Sequence, residues 1–459
     1  MLGLRSFILL AVLATLALAA PTPQRNINKR SFSVPRVRRA NYKRDPTAAM
    51  VKAYRKFGFT FNAALANATG GSTMHPDGAG HHNWHMGNHL PIVTPSTASS
   101  VSGDSAVVST ANKVDVQSLA ATGSSGVIGS GKVTGEVSAT PVDNAAEYIS
   151  PVTIGGQQLN LDFDTGSSDL WVFSTKLSSS AISGHSAFNP DNSKTFKLLD
   201  GESFTISYGD NSGASGIVGT DTVTIGGATV TSQAVELATS VSAAFIQDTD
   251  SDGLVGLAFS SLNAVSPNQQ KTFFDNIMSD LAQPVFTADL NEDSTGSYEF
   301  GVIDSSKYSG NLTFVPVDAS SGFWKFESSS FTVGSTTVVN PNASPAIADT
   351  GTSLVLVDDE VATHYYKQIK GSKNDDSVGG WTYPCSADIP DFGVSIGGQY
   401  TAVIPGSSVT FAKVTSQTCF GGIQSNGGSN IQIYGDVMFR NTFVVFDGQN
   451  KVLGLAKKN

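Results

Sequence analysis

The sequence has only two cysteines, Cys385 and Cys419, in 459 residues, and only two of its seven histidines lie beyond residue 89. Beyond that point it therefore lacks the groups of cysteine and histidine that hold zinc, and it is too poor in cysteine for a disulfide-rich scaffold. We expect no metal and no other cofactor. In an oxidising compartment the two cysteines should pair, and two buried free thiols are the alternative.

Basic residues are scarce in most of the chain. Residues 133–459 contain 34 acidic and 14 basic residues, whereas residues 20–132 contain 4 acidic and 13 basic ones. The basic segment is interpreted either as a disordered spacer or as a propeptide held electrostatically on the acidic remainder. In the second case acid would release it, because carboxylates become protonated below about pH 4.

Long apolar runs are also rare, and the prominent one lies at the N-terminus. Arg5, the apolar run from Phe7 to Leu18 and the small-residue site Ala17-Leu18-Ala19 are typical of a secretory signal peptide. The run is too short to favour a transmembrane anchor. The sequence therefore predicts a secreted, extracellular protein with a signal peptide at residues 1–19.

Charged residues make up only 14 % of the chain, and glycine is abundant at 46 residues. From about residue 145 onward, Val, Ile, Thr and Phe alternate with polar residues, as in Asp221–Ile225 and Thr442–Phe446. This pattern predicts many short strands and hairpins, and so a mainly β fold. Helical spacing predicts two short helices, over Gln270–Leu281 and Asp358–Lys370.

The tripeptide Asp-Thr-Gly occurs twice, at Asp164 and at Asp349, each time after apolar residues and before residues with hydroxyl groups. An apolar-apolar-Gly segment follows each copy about 90 residues later and ends at Gly256 and at Gly435. A repeat of this length indicates a duplicated domain in which each half supplies one carboxylate. The site is then expected in the cleft between two lobes.

Two carboxylates on tight turns can form a pair that shares one proton. At a separation of about 3 Å the two groups cannot both ionise easily. One can then act as a base on a water molecule while the other protonates the carbonyl oxygen of a peptide bond. The two motifs therefore predict peptide-bond hydrolysis, with activity that peaks at about pH 3–5.

The residues around both motifs resemble those of the pepsin family of aspartic proteases, and most of all the secreted fungal acid proteases such as endothiapepsin, penicillopepsin and aspergillopepsin. The resemblance covers about 145–459 and is carried by these runs: Leu159–Phe173, Ile206–Asp210, Asp252–Ser260, Gln269–Asp275, Ala346–Leu354 and Cys419–Ser425. It implies a mainly β, bilobal pepsin-like fold of two related β-barrel-like lobes with the active site in the cleft between them. It also implies a secreted aspartic endopeptidase, made as an acid-activated zymogen, that cuts between apolar or aromatic residues.

The resemblance further implies roles for individual residues. Asp164 and Asp349 would be the catalytic pair, and Ser167 and Thr352 would donate hydrogen bonds to their outer oxygens. The other expected site residues are the tip of a hairpin flap over the substrate (Tyr208, Gly209 and Asp210), Trp171 in contact with Tyr208, the glycines that let the two turns approach (Gly166 and Gly351), and Gly256 and Gly435 behind the pair.

The predicted domains follow from these features. They are the signal peptide at 1–19, a propeptide and linker at 20–132, an N-terminal lobe with the first aspartate and the flap at 133–330, and a C-terminal lobe with the second aspartate at 331–459. The expected partners are protein and peptide substrates and the chain's own propeptide as an intramolecular inhibitor. Nucleic acid and membrane are not expected as partners, and we expect a monomer.

A basic amphipathic stretch, Ala49–Phe57, lies within the propeptide. Its apolar residues share one face at helical spacing: Met50, Ala53, Tyr54 and Phe57. Asp45-Pro46, just before it, is a plausible helix start. Such a helix either delivers Lys52 or Lys56 to the two carboxylates, or it is a basic surface helix that never enters the cleft.

Five histidines cluster in a Gly- and Asn-rich stretch: His75, His81, His82, His85 and His89. Clustered histidines can bind metal or respond to pH, and a solvated linker is the third interpretation. Residues 94–132 are rich in Ser, Thr, Gly and Ala and are interpreted as linker.

Two rival functions remain open at this point. A Gly-x-Ser-x-Gly run at 393–397 would suit a serine hydrolase with His185 or His364 as its base, but a nucleophile elbow needs a helix after the serine and this run enters a strand-like segment. A secreted pepsin-like binding protein without catalysis is the second rival, since fold alone does not exclude it. Both Asp-Thr-Gly motifs and Tyr208 are intact, which argues against that interpretation.

Two further sequence features concern processing. Asn311-Leu312-Thr313 is a glycosylation sequon, whereas the sequon at Asn342 is weakened by Pro345. A mature N-terminus near Val133 would place Lys132 directly before the cut bond. One hypothesis is that the enzyme cuts there itself in acid, with Asp210 pairing with the lysine, and the alternative is trimming by another protease.

Overall fold

The computed structural model describes residues 44–59, 134–142, 147–207, 213–292 and 294–459. The predictions for the signal peptide, the histidine cluster, the linker, Lys132 and the flap residues Tyr208, Gly209 and Asp210 lie outside these residues.

Short strands dominate the described residues, as their β-branched and aromatic composition predicts. The runs Asp221–Ile225 and Thr442–Phe446 lie within strands, which confirms both predictions. The strands, numbered in chain order, are β1 (Gly135–Val142), β2 (Glu147–Ile154), β3 (Gln157–Asp164), β4 (Leu170–Val172), β5 (Lys197–Ser207), β6 (Gly213–Ile225), β7 (Ala228–Val241), β8 (Gly253–Gly256), β9 (Val265–Ser266), β10 (Val285–Asp289), β11 (Gly296–Phe300), β12 (Tyr308–Pro316), β13 (Lys325–Phe326), β14 (Ser330–Val333), β15 (Thr336–Val339), β16 (Ala346–Ala348), β17 (Val355–Val357), β18 (Lys373–Asp375), β19 (Gly380–Pro384), β20 (Phe392–Ile396), β21 (Tyr400–Ile404), β22 (Thr410–Lys413), β23 (Thr418–Gly421), β24 (Ile423–Ser425), β25 (Gln432–Tyr434), β26 (Thr442–Asp447) and β27 (Val452–Lys458).

Most of these strands belong to one extended sheet, with the order β12-β27-β26-β10-β11-β1-β2-β3-β8-β4-β7-β6-β5-β9. A further pairing of β2 with β6 closes the strands from β2 to β6 in this order into a barrel. Three smaller sheets have the orders β13-β16-β25-β17-β24, β15-β14-β20-β21 and β18-β19-β23-β22.

Two three-strand units repeat the same topology. In the first, β3 runs parallel to β8, and β8 runs antiparallel to β4. In the second, β16 runs parallel to β25, and β25 runs antiparallel to β17. Asp164 lies opposite Gly256 in the register of β3 and β8, and the backbone N–H of Asp349 donates to Tyr434, the residue before Gly435. The sequence repeat is therefore a repeat of structure, and the predicted mainly β, bilobal pepsin-like fold is confirmed.

The last two strands join the large sheet. β26 pairs with β10, and β27 pairs with β12, so the end of the chain lies beside strands that precede residue 330. Phe286 of β10 and Phe446 of β26 stack with ring centroids 4.5 Å apart and planes 6° apart, which packs this junction in the core. The boundary between the lobes at residues 330 and 331 stays a prediction.

The described residues form five short α-helices: α1 (Pro46–Lys56), α2 (Ala243–Gln247), α3 (Phe273–Ile277), α4 (Asp359–Tyr366) and α5 (Asp436–Phe439). The two helices predicted in the lobes are present but shorter than expected. α3 begins only at Phe273 because Thr272 caps it, accepting from the N–H of Asp275, while Gln270 donates its own N–H to Asn263. Within the described ranges, no helix is long and apolar enough to cross a bilayer.

Cys385 and Cys419 form a disulfide with a Cα–Cα distance of 5.0 Å. The bridge joins the end of β19 to β23, two neighbouring strands of one sheet, and the alternative of two free thiols is wrong. The cysteines are 34 residues apart, so the bridge closes a loop of moderate length.

Removal of this bridge should lower the stability of the protein without changing its fold. Replacing both cysteines by alanine frees a loop of 34 residues in the unfolded chain, which is expected to lower the free energy of unfolding by about 3–4 kcal/mol. The measurement is denaturant unfolding at pH 5, with far-UV circular dichroism as the control for an intact fold. An unchanged free energy of unfolding would contradict this role.

Candidate active site

The two Asp-Thr-Gly turns lie side by side at the ends of buried strands. β3 ends at Asp164, and Asp349 directly follows β16. Both aspartates are almost completely buried, with 1 % and 0 % of the residue exposed. The apolar residues that lead into each turn belong to the core, so the fold carries both carboxylates inward.

Each carboxylate receives the same two hydrogen bonds from its own turn. The Gly166 N–H donates to Asp164 Oδ1 at 2.7 Å, and Ser167 Oγ donates to Oδ2 at 2.7 Å. The Gly351 N–H donates to Asp349 Oδ1 at 3.0 Å, and Thr352 Oγ1 donates to Oδ2 at 2.5 Å. These donors favour the ionised carboxylates and fix their orientation.

The two turns are also bonded to each other. Thr165 Oγ1 donates to the carbonyl of Ala348 at 2.9 Å, and Thr350 Oγ1 donates to the carbonyl of Phe163 at 2.6 Å. Each hydroxyl also accepts the backbone N–H of the other threonine, at 3.0 and 3.1 Å. The sequence reasoning missed these two threonines, although their identical place in the repeat was a signal that could have found them.

Glycine is required in both turns because they approach so closely. A Cβ on Gly166 would lie 2.7 Å from Cγ of Asp349, and a Cβ on Gly351 would lie 2.5 Å from Cγ of Asp164. Each glycine thus faces the aspartate of the other turn. The predicted role of Gly166 and Gly351 in close approach agrees with this geometry.

A lysine from the N-terminal basic segment lies between the two carboxylates. Lys56 Nζ is 2.6 Å from Asp164 Oδ1, 2.8 Å from Asp349 Oδ1 and 3.0 Å from Asp349 Oδ2. The Lys56 side chain is only 9 % exposed. One ammonium group therefore contacts both aspartates in a site that is nearly closed to solvent.

The three buried groups shift one another's pKa. Burial alone would raise the pKa of Asp164, but the Lys56 ammonium and hydrogen bonds outweigh burial and lower it. Burial raises the pKa of Asp349 to about 6, and Lys56 offsets only part of that rise. Burial would lower the pKa of Lys56, yet the two carboxylates reverse this and raise it. The lysine stays charged, and the two carboxylates titrate as a pair.

Helix α1 begins where the sequence predicts, but its buried face differs from the predicted one in Val51, which is buried, and in Phe57, which follows the helix and is only partly buried. Asp45 caps it by accepting the N–H of Ala48 at 3.0 Å, and Pro46 occupies the first turn, where its missing N–H is not needed. The buried face consists of Met50, Val51, Ala53 and Tyr54.

Docking of this face decides which lysine enters the site. Tyr54 Oη donates to the carbonyl of Ser425 at 3.0 Å, and the next turn of the helix points Lys56 at the two aspartates. Lys52 lines the cleft one turn earlier. Of the two interpretations of this stretch, delivery of a lysine to the aspartates is confirmed, with Lys56 as that lysine, and the surface helix is wrong.

Arg44 anchors the residues that precede α1. Its guanidinium donates to the carbonyl of Phe411 at 2.7 Å and to Glu292 Oε1 at 2.7 Å, and it lies over the Phe411 ring. Arg440 approaches the same Glu292 oxygen at 3.0 Å. Burial lowers the pKa of Arg44, and the nearby Arg440 lowers it further, although Glu292 opposes both effects.

A cavity of about 480 Å³ remains between α1 and the walls around the aspartates. The aromatic residues in its lining are Trp171, Phe173, Phe245 and Phe411. Asp248 and Asp250 are among the acidic residues that line it, and Lys52 and Arg55 of α1 line it as well. The Trp171 Nε1 is buried and has no hydrogen-bond partner among the described residues. Its expected partner, Tyr208, lies outside those residues.

Gly256 and Gly435 lie behind the two turns, where there is no room for a side chain. A Cβ on Gly256 would lie 2.5 Å from Cα of Ser168, and one on Gly435 would lie 2.8 Å from the carbonyl carbon of Thr352.

Ser395, the serine of the rival hydrolase, lies inside β20 opposite Thr401 of β21 and is buried. A strand interior cannot form a nucleophile elbow, so the serine-hydrolase interpretation is wrong.

A second pair of buried carboxyl groups, which the sequence reasoning missed, lies behind the first turn. Asn263 Nδ2 donates to Asp169 Oδ1 at 2.9 Å and to Glu236 Oε1 at 3.0 Å. Burial raises the pKa of Asp169 to about 6 and raises the pKa of Glu236 well above its usual range. Glu236 Oε2 accepts no hydrogen bond from the described residues, and a proton on the pair would satisfy it.

Comparison with known proteins adds independent findings. Residues 147–458 match the family described as eukaryotic aspartyl protease. The chain is 46 % identical over 462 residues to an aspergillopepsin A-like aspartic endopeptidase of Aspergillus fumigatus, with 99 % of each chain covered. It is 52 % identical over 326 residues to penicillopepsin-1 of Penicillium rubens, with 71 % of this chain and 81 % of the relative covered. It is 50 % identical over 324 residues to aspergillopepsin-1 of Aspergillus fumigatus, with 70 % and 81 % covered.

The Asp169–Glu236 pair should make the protein less stable as the pH rises. Because burial raises both pKa values, the folded protein retains protons that the unfolded chain releases above about pH 4. The stabilisation is therefore fully present below about pH 4 and is lost as the pH rises through about 6. For Asp169 alone, a rise from 3.8 to about 6 corresponds to a free energy on the order of 3 kcal/mol.

Asp169→Asn should weaken this pH dependence, because asparagine resembles the protonated acid. The measurement is the free energy of unfolding in denaturant at pH 4 and pH 7. Asp191→Asn is the control, since its carboxylate is 82 % exposed and should leave the pH dependence as in the wild type. The same loss between the two pH values in all three proteins would contradict the assignment.

Proposed function

This chain belongs to the eukaryotic aspartyl protease family and is an aspartic endopeptidase, and we propose that Asp164 and Asp349 are its catalytic pair and that its own helix α1 inhibits it. The observation that carries this proposal is the Lys56 ammonium, which contacts both carboxylates, at 2.6 and 2.8 Å. The enzyme would thus be made as a zymogen and activated by acid.

The proposed chemistry starts from a pair that holds one proton between two carboxylates. The ionised carboxylate takes a proton from a water molecule as the water oxygen attacks the carbonyl carbon, and the protonated one gives its proton to the carbonyl oxygen. The tetrahedral intermediate then returns a hydroxyl proton to the aspartate that had protonated the carbonyl oxygen. Its C–N bond breaks as the aspartate that took the proton from water gives that proton to the leaving amine. The bonds from Gly166, Ser167, Gly351 and Thr352 would keep both groups oriented throughout.

Inhibition follows from the charge and the position of Lys56. Its ammonium occupies the place where water and a peptide carbonyl must bind, and it replaces the shared proton as the neutralising charge. The burial of Met50, Val51, Ala53 and Tyr54 holds α1 in the cleft, so a substrate cannot enter while α1 is docked.

Acid would release α1 because the attraction between the basic segment and the acidic lobes depends on ionised carboxylates. Protonation of the aspartate pair reduces the negative charge that faces Lys56 and so weakens its hold on α1. Residues 133–459 have a surplus of acidic residues, so their attraction for the basic segment also weakens as acid protonates them.

The preference for apolar or aromatic residues on both sides of the cut bond belongs to this proposal. The aromatic lining of the cleft by Trp171, Phe173 and Phe245 supports it. Tyr208, Gly209 and Asp210 would close over the substrate, and Asp210 would admit a lysine before the cut bond, as in the proposed self-cleavage after Lys132.

Secretion and glycosylation complete the proposal. The N-terminal apolar run with its small-residue site supports secretion. Asn311 is exposed on β12, at the irregularity between Ser309 and Thr313 where the pairing with β27 shifts, and so it is accessible to glycan transfer.

Replacing either catalytic aspartate by asparagine should abolish hydrolysis in a folded protein. Asp164→Asn and Asp349→Asn nearly preserve shape but remove the shared proton, so we expect less than about 1 % of wild-type kcat/KM. Each protein is first freed of its N-terminal segment by a serine protease, which is then irreversibly inhibited, and is assayed on a peptide at pH 4. Asp191→Asn, with the same chemical change on the surface, should keep full activity, and activity above 1 % in either aspartate variant would contradict the assignment.

Removing the Lys56 ammonium should let the zymogen activate at higher pH. Lys56→Met takes away the charge-assisted hydrogen bonds to both aspartates, each worth about 1.5–3 kcal/mol, so activation at pH 5 should be at least tenfold faster than in the wild type. The measurement is the loss of the N-terminal segment with time, followed by mass spectrometry between pH 3 and pH 7. Lys52→Met removes the same charge one helical turn away and should change the rate less than threefold. Equal acceleration by both variants would mean that only net charge matters and would contradict the role of Lys56.

A further inference from the structure

His185 lies between two backbone carbonyl groups. Its Nδ1 is 2.9 Å from the carbonyl oxygen of Ser251, and its Nε2 is 3.2 Å from that of Ile246. Carbonyl oxygens only accept hydrogen bonds, and a neutral imidazole carries a single N–H. The two contacts are therefore satisfied together only by the imidazolium, which has two N–H donors.

The two carbonyls belong to one wall of the cavity beside the aspartates. Ile246 is part of α2, and Ser251 lies in the loop that leads from α2 to β8. Neighbouring residues of the same segment line the cavity: Ala244, Phe245, Gln247 and Asp248. The ring of Phe245 packs edge-on against Trp171, with centroids 5.0 Å apart. The hydrogen bonds of His185 thus connect this wall to the body of the lobe.

The surroundings of His185 favour the charged ring. The imidazole stacks on Phe173 with centroids 3.8 Å apart and planes 10° apart, a geometry in which an aromatic face attracts a cation. Asp252 interacts electrostatically with His185 and accepts the N–H of Ser186, the next residue, at 2.7 Å.

Other charged groups near His185 lie on the loop after α2 and on α1, across the cavity. The loop after α2 carries Asp248 and Asp250, and α1 contributes Lys52 and Arg55 on the far side of the cavity.

We propose that the His185 imidazolium is a positioning residue for substrate binding, which holds α2 and the loop to β8 as a rigid wall of the cleft in acid and releases them as it loses its proton. Both hydrogen bonds exist only while His185 holds its second proton, so the wall is rigid at low pH. It loosens once the second proton is lost, because one of the two carbonyls then has no donor. The effect on substrate rests on the proposed function of the cleft, whereas the clamp itself does not.

Hydrogen exchange tests the clamp without any need for activity. The protein is first freed of its N-terminal segment by the serine protease, so that release of α1 in acid cannot change exchange in the cavity wall. Peptides that cover residues 243–252 are compared at pH 4.5 and pH 7.0 after correction for intrinsic exchange. The wild-type segment should lose protection at least threefold at the higher pH, while the segment 442–458 reports any global change. His185→Gln offers donors on one uncharged nitrogen only, and His185→Phe keeps the stacking without donors. Both variants should lose the pH dependence of the 243–252 segment.

Steady-state kinetics then tests the link to substrate. On the activated enzyme at pH 4, both variants should raise KM for a long peptide about threefold with kcat within twofold of the wild type, and this KM ratio should fall toward one as the pH rises. A KM ratio that does not change with pH would overturn the positioning role. Equal pH dependence of exchange in wild type and variants would overturn the clamp. If a variant does not fold, the wild type alone decides the matter. The clamp would then be overturned if protection of the 243–252 segment changed with pH only as much as protection of the 442–458 segment. Loss of all proteolysis in the wild type would contradict the proposed function, but it would leave the exchange result intact.

Discussion

The structure depends on holding two carboxylates at one buried point. Like charges removed from water are costly unless other groups compensate them. The hydroxyls of Thr165 and Thr350 bond the two turns together, and glycine in each turn leaves room for the other turn's aspartate. Lys56 then supplies the missing positive charge. In the proposed zymogen, the ammonium and the shared proton are two alternative ways to neutralise one site, so inhibition and acidity are linked by a single charge balance.

A preference for bound protons recurs away from the aspartate pair. Asp169 and Glu236 are buried side by side with raised pKa values, and the contacts of His185 require its second proton. In each of these three side chains, the protonated form suits the folded protein better than the deprotonated form. They lie behind or beside the first aspartate turn.

The secondary structure around the site could be predicted from local sequence patterns, whereas its hydrogen-bond networks could not. The helix α1, its start at Asp45 and three residues of its buried face, Met50, Ala53 and Tyr54, follow from spacing and capping within a dozen residues. Hydrogen-bond networks are different, because their members are far apart in the chain. Asp169 meets Glu236 through Asn263, and nothing in the neighbourhood of any of the three indicates the others.

The sequence by itself determined the chemistry and the fold class. A duplicated Asp-Thr-Gly with its apolar flanks requires two turns after buried strands, and alternating β-branched residues require sheets. Only the tertiary structure decided how the basic segment meets the site. Lys52 and Lys56 are one helical turn apart and equivalent in pattern, and the choice between them came from the docking of Tyr54 on Ser425 and of Arg44 on Glu292. Periodicity specifies a face of a helix, whereas contacts with distant residues specify how far along its groove that helix lies.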